Sequence, residues 1–365
     1  MKTRTGLIVF FGLVLAAGLV WVRLYTAWHF RSIQPVLPGA CTVVSGVVGV
    51  EDIAIDPNTG RAYLSICDRR AVAEGKPADG GIFVYDLNVP NAKPLRIDGG
   101  LVVDFQPHGI SLCFREDEAI ALFVVNHGEG RHAVERFDLN GLALSGRKTF
   151  TAPALVSPND VAAVDAERFY VTNDHGSRGN AGKAVEDYLG LQRSSVVYYD
   201  GSRFKTVAEK IGYANGIALE NGGRRVFVAA TTEGTVRVYG REATTGGLTL
   251  LQTIDCGTAV DNIELDAAGA LWVGAHPKPL KFLAHARSAT HHSPSEVLRL
   301  AFEPSGAVSS RTVFLDAGDR LSGCSVGSAY EGRLLIGSVF EPFFLDCRMP
   351  PPPATPSPEE NPHDR

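Results

Sequence analysis

Nowhere in this chain of 365 residues do lysine and arginine gather into a basic run, and the formal net charge is −5 with a pI near 6.1. Nucleic-acid binders need a cationic face to displace counterions from phosphate, so nucleic acid is excluded as a partner. The six cysteines, at 41, 67, 113, 256, 324 and 347, form no C-x-x-C pair, which removes thiolate zinc sites and dithiol redox motifs. Sustained helical periodicity is almost absent between positions 43 and 344, which leaves an all-β chain. What is present is a turn-rich globular composition, 45% hydrophobic and 21% charged with 39 glycines, able to bury a large core.

Residues 1–35 stand apart. Lys2 and Arg4 precede an uncharged run over 6–22, followed by Arg23 and the aromatics Tyr25, Trp28 and Phe30. That run sits at the lower limit for crossing a bilayer and exceeds the apolar core of most cleaved signals, and no clear small-x-small cleavage site follows it. It reads as an uncleaved signal-anchor that attaches the domain to a membrane on the extracytoplasmic side; a cleaved signal, and so a secreted protein, is the alternative. Cys41 lies just after this segment and Cys347 just before a proline-rich tail, near the two ends of residues 36–348, where a bridge would tie the ends of the domain together, as an exported location permits. The other four cysteines read as buried thiols. The proline-rich stretch 349–365 lacks the material for a core and is expected to be disordered.

Within residues 36–348 one pattern recurs: a polar or glycine-containing start, a short apolar run, a turn, and a second apolar run. Its starts fall at Glu51, His108, Asn159, Asn215, Asp261 and Cys324. Six units of roughly fifty residues match six blades of four strands, so the predicted fold is a six-bladed β-propeller with an N-terminal anchor helix. A β-sandwich would not return the same kind of polar residue at every repeat. Two long irregular insertions, 175–191 and 278–295, interrupt the pattern and are candidate lids over one face; specificity is expected in loops 68–80, 175–195 and 278–296.

The innermost strand of each blade lines the axis, so residues opening that strand converge. Here they are Glu51, Asp52, His108, Asn159, Asp160, Asn215, Asp261 and Asn262, a set rich in hard oxygen donors. Calcium takes six to eight such oxygens in irregular geometry, whereas zinc wants a tetrahedral histidine or cysteine set. Asp and Asn are common at strand ends as turn residues, but their return at one register in five blades points to a cation.

The segments Glu51-Asp52-Ile53, Pro107-His108-Gly109-Ile110-Ser111, Val124-Val125-Asn126-His127, Pro158-Asn159-Asp160, Ala214-Asn215-Gly216-Ile217 and Val260-Asp261-Asn262-Ile263 resemble the serum paraoxonase/arylesterase family in order and spacing, as do 169–175 and 271–277. The resemblance extends over essentially the whole chain, the N-terminal apolar run and the Cys41/Cys347 pair included. It implies a calcium-dependent hydrolase of lactones and aryl esters with two ions. The catalytic calcium would be held by Glu51, Asn159, Asn215, Asp261 and Asn262, and the structural one by Asp52, Asp160 and the carbonyl of Ile110. His108 and His127 would form a proton-transferring dyad that takes a proton from the attacking water. The family often has cysteine where Ala275 stands, so no thiol there is required for activity.

Two other functions compete: a gluconolactonase-like sugar lactonase, which also uses an axial divalent ion, and a non-catalytic ligand-binding propeller, which would have no need to concentrate charge at its centre. Gly323-Cys324-Ser325-Val326-Gly327 formally matches the nucleophile elbow of α/β-hydrolases. That motif requires a strand-turn-helix and later Asp/Glu and His partners, which are not evident, so Ser325 is assigned to the sixth blade instead.

Overall fold

The computed structural model describes residues 28–350, apart from 79, 101, 116–118 and 129, together with residue 18. Most of the expected anchor within residues 1–35, and the tail beyond 350, lie outside the described residues. Among the described residues no helix is long and apolar enough to cross a membrane.

Among the described residues, twenty-four strands form six four-stranded antiparallel sheets, covering 50–96, 107–150, 158–211, 214–255, 259–316 and, for the sixth, 324–348 completed by Ala40–Ser45. The first five sheets are contiguous in sequence. Blade six takes its outermost strand from the N-terminal end, paired in register from Ala40↔Arg348 to Ser45↔Phe343. Cys41 and Cys347 face each other in that ladder and form the expected disulfide. The remaining thiols are free, with Cys67, Cys113 and Cys324 buried and Cys256 half-buried. Arg31 reaches blade five, where its Nη1 and Nη2 donate to the buried carboxylate of Glu296 at 2.6 and 2.7 Å.

The hydrophobic core is not one mass but six slabs, each between two neighbouring blades. One joins Phe123 and Phe150 of blade two to Phe169 and Val171 of blade three; another joins Phe227 of blade four to Leu271 and Leu298 of blade five. This follows from strand alternation: a blade buried on both faces needs apolar side chains pointing both ways, which is why the second strands read as continuous runs such as Ala121-Leu122-Phe123-Val124-Val125.

Three helices among residues 28–350 decorate the rings: α1 (Arg69–Ala73), α2 (Asn180–Leu189) and α3 (Pro279–Arg287). Each lies in the link between the second and third strands of blades one, three and five. The insertions expected to be irregular therefore contain helices. They are short, so periodicity gave little sign of them, and their end signals are local: Asp68 accepts from Ala71 N–H to cap α1, Gly190 closes α2 in the left-handed conformation, and Pro279 opens α3.

Candidate active site at the propeller axis

The six inner strands are Val50–Asp56, Pro107–Phe114, Pro158–Ala163, Ala214–Leu219, Ala259–Leu265 and Cys324–Tyr330. In every one, pairing to the next strand slips register at the opening residues, between Val50/Asp52, Pro107/Ile110, Pro158/Val161, Ala214/Ile217, Val260/Ile263 and Cys324/Val326. A bulge releases side chains from strict alternation and re-aims them. Consecutive polar residues can thus both be buried near the axis, and Glu51, Asp52, Asn159, Asp160, Asn215, Asp261 and Asn262 are each at most 4% exposed.

The inner strands approach so closely that two motif glycines have no room for a side chain. A Cβ on Gly109 would lie 2.1 Å from the Asp160 carboxylate, and one on Gly216 would lie 2.6 Å from backbone atoms of Asp261 and Asn262.

Glu51, Asn159, Asn215 and Asp261 line one cavity of about 690 Å³, together with His108, Arg69, Tyr213, Thr231 and His276. Its walls are apolar, with Tyr188 and Leu189 from α2, Leu280, Phe282 and Leu283 from α3, and Phe340.

The amide nitrogens around the axis are tied to protein partners. Asn262 Nδ2 donates to Glu51 Oε1 at 2.9 Å, Asn215 Nδ2 to Thr231 Oγ1 at 3.2 Å, and Asn159 Nδ2 to Asp174 Oδ2 at 3.4 Å. Their oxygens are not: Asn159 Oδ1, Asn215 Oδ1, Asn262 Oδ1 and Glu51 Oε2 are buried without a hydrogen-bond partner. The three amide oxygens have no partner and Glu51 Oε2 faces only Arg69 at 3.9 Å, an arrangement that would cost several kcal/mol unless a cation met them. No group of three or more His, Cys, Asp or Glu side chains arranged to hold a metal occurs among the described residues. The donor set is instead two carboxylates, Glu51 and Asp261, with three amides, a composition suited to a hard cation.

Asp52 and Asp160 do not line that cavity. Asp52 accepts from Ile53 N–H at 2.9 Å and from Ile110 N–H of blade two at 2.7 Å; Asp160 does likewise with Val161 and with Ile217 of blade four, both at 2.7 Å. Each carboxylate thereby stitches its own inner strand to that of the next blade. Burial, then the negative charge of Glu51, pushes Asp52 up to about 8, and burial, then Asp52, raises Asp160 well above the carboxylate range. Glu264 rises for the same reasons, burial first and then Asp52 and Asp160. Burial also opposes ionisation of Glu51, but the His108 ring and then Arg69 outweigh it and bring that carboxyl down to about 2.

His108 Nδ1 lies 2.9 Å from His127 Nε2, and His108 Nε2 lies 3.3 Å from Glu51 Oε1. The two histidines singled out from sequence therefore meet across a strand pair. Burial, with neighbouring His108 and His132, lowers His127 well below the usual imidazole value. Ser325 occupies the sixth blade's place in the ring, fully buried, and its hydroxyl donates to the Glu51 carbonyl at 2.6 Å. That bond makes it a blade-to-blade clasp, not a nucleophile.

Several residues at the site escaped sequence reasoning. His276 Nε2 is 2.7 Å from Asp261 Oδ2 and its ring stacks on Phe282; it lies within the segment 271–277, where sequence gave it no role. Arg69 Nη2 lies 3.9 Å from Glu51 Oε2. Tyr213, with φ of 56°, holds a backbone conformation rare outside glycine, which no sequence signal announced.

The arylesterase family model matches residues 32–348. The chain belongs to the arylesterase family. Serum paraoxonase/arylesterase 1 of Homo sapiens is 38% identical over 320 residues, spanning 85% of this chain and 89% of the human protein. The Mus musculus protein of the same name is 37% identical over 325 residues, with the same coverage. A solved structure described as a putative gluconolactonase shares the fold, with a TM-score of 0.52 at 16% identity, covering 86% of this chain and 94% of that one.

Proposed function

We propose that this arylesterase-family chain is a calcium-dependent hydrolase of lactones and aryl esters, and that the axial cavity is where it works. The observation that carries the reading is the set of four buried acceptor oxygens without a hydrogen-bond partner, on Glu51, Asn159, Asn215 and Asn262, with the Asp261 carboxylate beside them. These five residues would hold the catalytic calcium. Asp52, Asp160 and the Ile110 carbonyl would hold a second, structural ion, supported by the raised carboxyls of Asp52 and Asp160, which a cation would relieve. Bound at the axis, calcium would polarise the substrate carbonyl and stabilise the oxyanion that forms on it.

The chain's own residues would do the rest. His108, presenting Nε2 to the cavity near Glu51, takes the proton of the attacking water, aided by His127, whose Nε2 meets His108 Nδ1. His276 orients Asp261, and Thr231 holds the Asn215 amide so that its oxygen stays free. The apolar walls from α2, α3 and Phe340 exclude water and favour a lactone or ester with an apolar group over a polyhydroxylated sugar lactone. Residues 36–348 would form the catalytic domain, attached to a membrane from the extracytoplasmic side by 1–35; the Cys41–Cys347 disulfide supports an oxidising compartment.

The test is hydrolysis of phenyl acetate and of an aliphatic δ-lactone by the full chain in detergent, with calcium, then excess EDTA, then calcium restored. Activity that disappears and returns is expected. Activity indifferent to chelation would overturn the reading.

A further inference from the structure

Beyond the His108–His127 pair the ring chain continues. His127 Nδ1 lies 2.9 Å from Nδ1 of His132, with the two rings perpendicular and their centroids 5.0 Å apart. His132 stands immediately before the third strand of blade two, Ala133–Asn140, five positions after His127, and its ring packs edge-on against the ring of His127. His132 is half-buried and, with His127, lines a separate cavity of about 580 Å³ whose other walls include Thr151, Pro153, Leu155 and Arg178. That cavity shares no lining residue with the axial one. Three imidazoles in line therefore connect one cavity to the other through the wall of blade two.

We propose that His132 is the outer terminus of a three-histidine proton relay, through which protons leave the axial site for the outer cavity and return from it. The proposal rests on the hydrolase reading above and extends it to a residue that does not touch substrate.

The chemistry fixes the direction of each bond. Neutral imidazole has one N–H and one lone pair. If His132 carries its proton on Nε2, its Nδ1 accepts from His127 Nδ1–H and His127 Nε2 accepts from His108 Nδ1–H; His108 Nε2, 3.3 Å from Glu51 Oε1, then has a lone pair for the attacking water once a bound cation rather than this ring meets the Glu51 carboxylate. When the attacking water loses its proton, an O–H bond breaks and an N–H bond forms at His108 Nε2. His108 Nδ1–H passes to His127 Nε2, His127 Nδ1–H passes to His132 Nδ1, and the His132 Nε2 proton goes to water in the outer cavity. Departure of the alkoxide runs the chain backwards. His108 Nε2 protonates the leaving oxygen, each N–H shifts inward, and His132 Nε2 regains a proton from the outer cavity, so the starting tautomers are restored within one turnover.

The surroundings suit a conduit more than a store. Burial, then Lys183, with Arg178 contributing and Asp174 opposing, lowers His132; burial, His108, His132, Arg69 and Lys183 lower His127. A second proton is unwelcome on either ring and moves on.

The experiment compares wild type, His132→Ala and His132→Gln as full chains in saturating calcium. We expect kcat to fall about tenfold in both variants with KM unchanged, a fraction of what a general base contributes. Millimolar imidazole, which fits the outer cavity, should restore H132A but neither H132Q nor wild type, a response that a merely structural role would not give. Independently of activity, the ¹⁵N spectrum of labelled histidine in wild type should show one proton shared between His127 Nδ1 and His132 Nδ1, absent in both variants. Unchanged kcat in both variants, a loss that imidazole leaves untouched, or no shared proton would overturn the relay while leaving the hydrolase reading intact. A wild type that hydrolyses neither ester nor lactone would overturn the hydrolase reading and the relay with it.

Discussion

Replacing both members of the blade-six disulfide, as C41A/C347A, tests how far ring closure depends on a covalent bond. The two cysteines are 306 residues apart in sequence yet directly opposite in one strand pair. In the chain-entropy account, cutting a loop of that length returns on the order of 5 kcal/mol of freedom to the unfolded state. The six-residue ladder between Ala40–Ser45 and the strand Phe343–Arg348 remains in the variant, so the folded state should keep its shape. For a domain of this size each kcal/mol moves Tm by roughly 2 °C, so the double variant should melt about 10 °C lower. The assay is differential scanning calorimetry in saturating calcium, with wild type scanned beside it in reductant, which should shift in the same direction. A double variant melting within about 2 °C of wild type would refute the argument and show that the ladder alone holds the ring.

Further outcomes follow from the site. Asn215→Ala removes a partnerless oxygen and should weaken calcium binding, read by titration calorimetry, by about tenfold or more, equivalent to about 1.4 kcal/mol. Ser325→Ala should keep hydrolytic activity while losing about 1 kcal/mol of stability, since its hydroxyl only clasps blade six to blade one; loss of activity with the fold intact would revive the nucleophile. His175 bridges Asp174 and Asp187 of α2 at 2.6 and 3.0 Å, and although burial opposes its charge, those carboxylates raise it to about 9. Because the folded value exceeds the free one, this contribution is complete below about 6.5 and is lost as pH climbs through about 9. Protection factors of the α2 amides, which take out the intrinsic base catalysis of exchange, should fall over that interval, and His175→Asn should abolish that fall.

The ring of polar residues was legible in sequence because repetition carries its own control: Glu51, Asn159, Asn215 and Asp261 return at one register, and no single turn residue would. Cys41 and Cys347 were legible from position. The bulges that re-aim the ring were not, since a register slip is a property of two strands and leaves no mark on either. The helices α1, α2 and α3 are too short for periodicity to speak over loop composition. His276 was visible as a residue but not as the partner of Asp261, because the two are fifteen positions apart and meet only when strands Ala259–Leu265 and Leu271–His276 pair. His132 lay in an unremarkable turn, and only its return onto His127 gives it meaning.

Blade six is written at the two extremes of the domain. During synthesis the strand Ala40–Ser45 emerges early, with Val43 and Val44 on it, and its partner Phe343–Arg348 follows some 306 residues later. At ordinary translation rates that is a wait of about 15 to 60 s. For that interval the nascent chain displays an unpaired strand edge, open to any other strand nearby. Five blades can stack as they leave the ribosome, but the ring cannot shut until the last strand arrives, so the ends of the chain are the first and last parts of the domain to be made and the last to be folded.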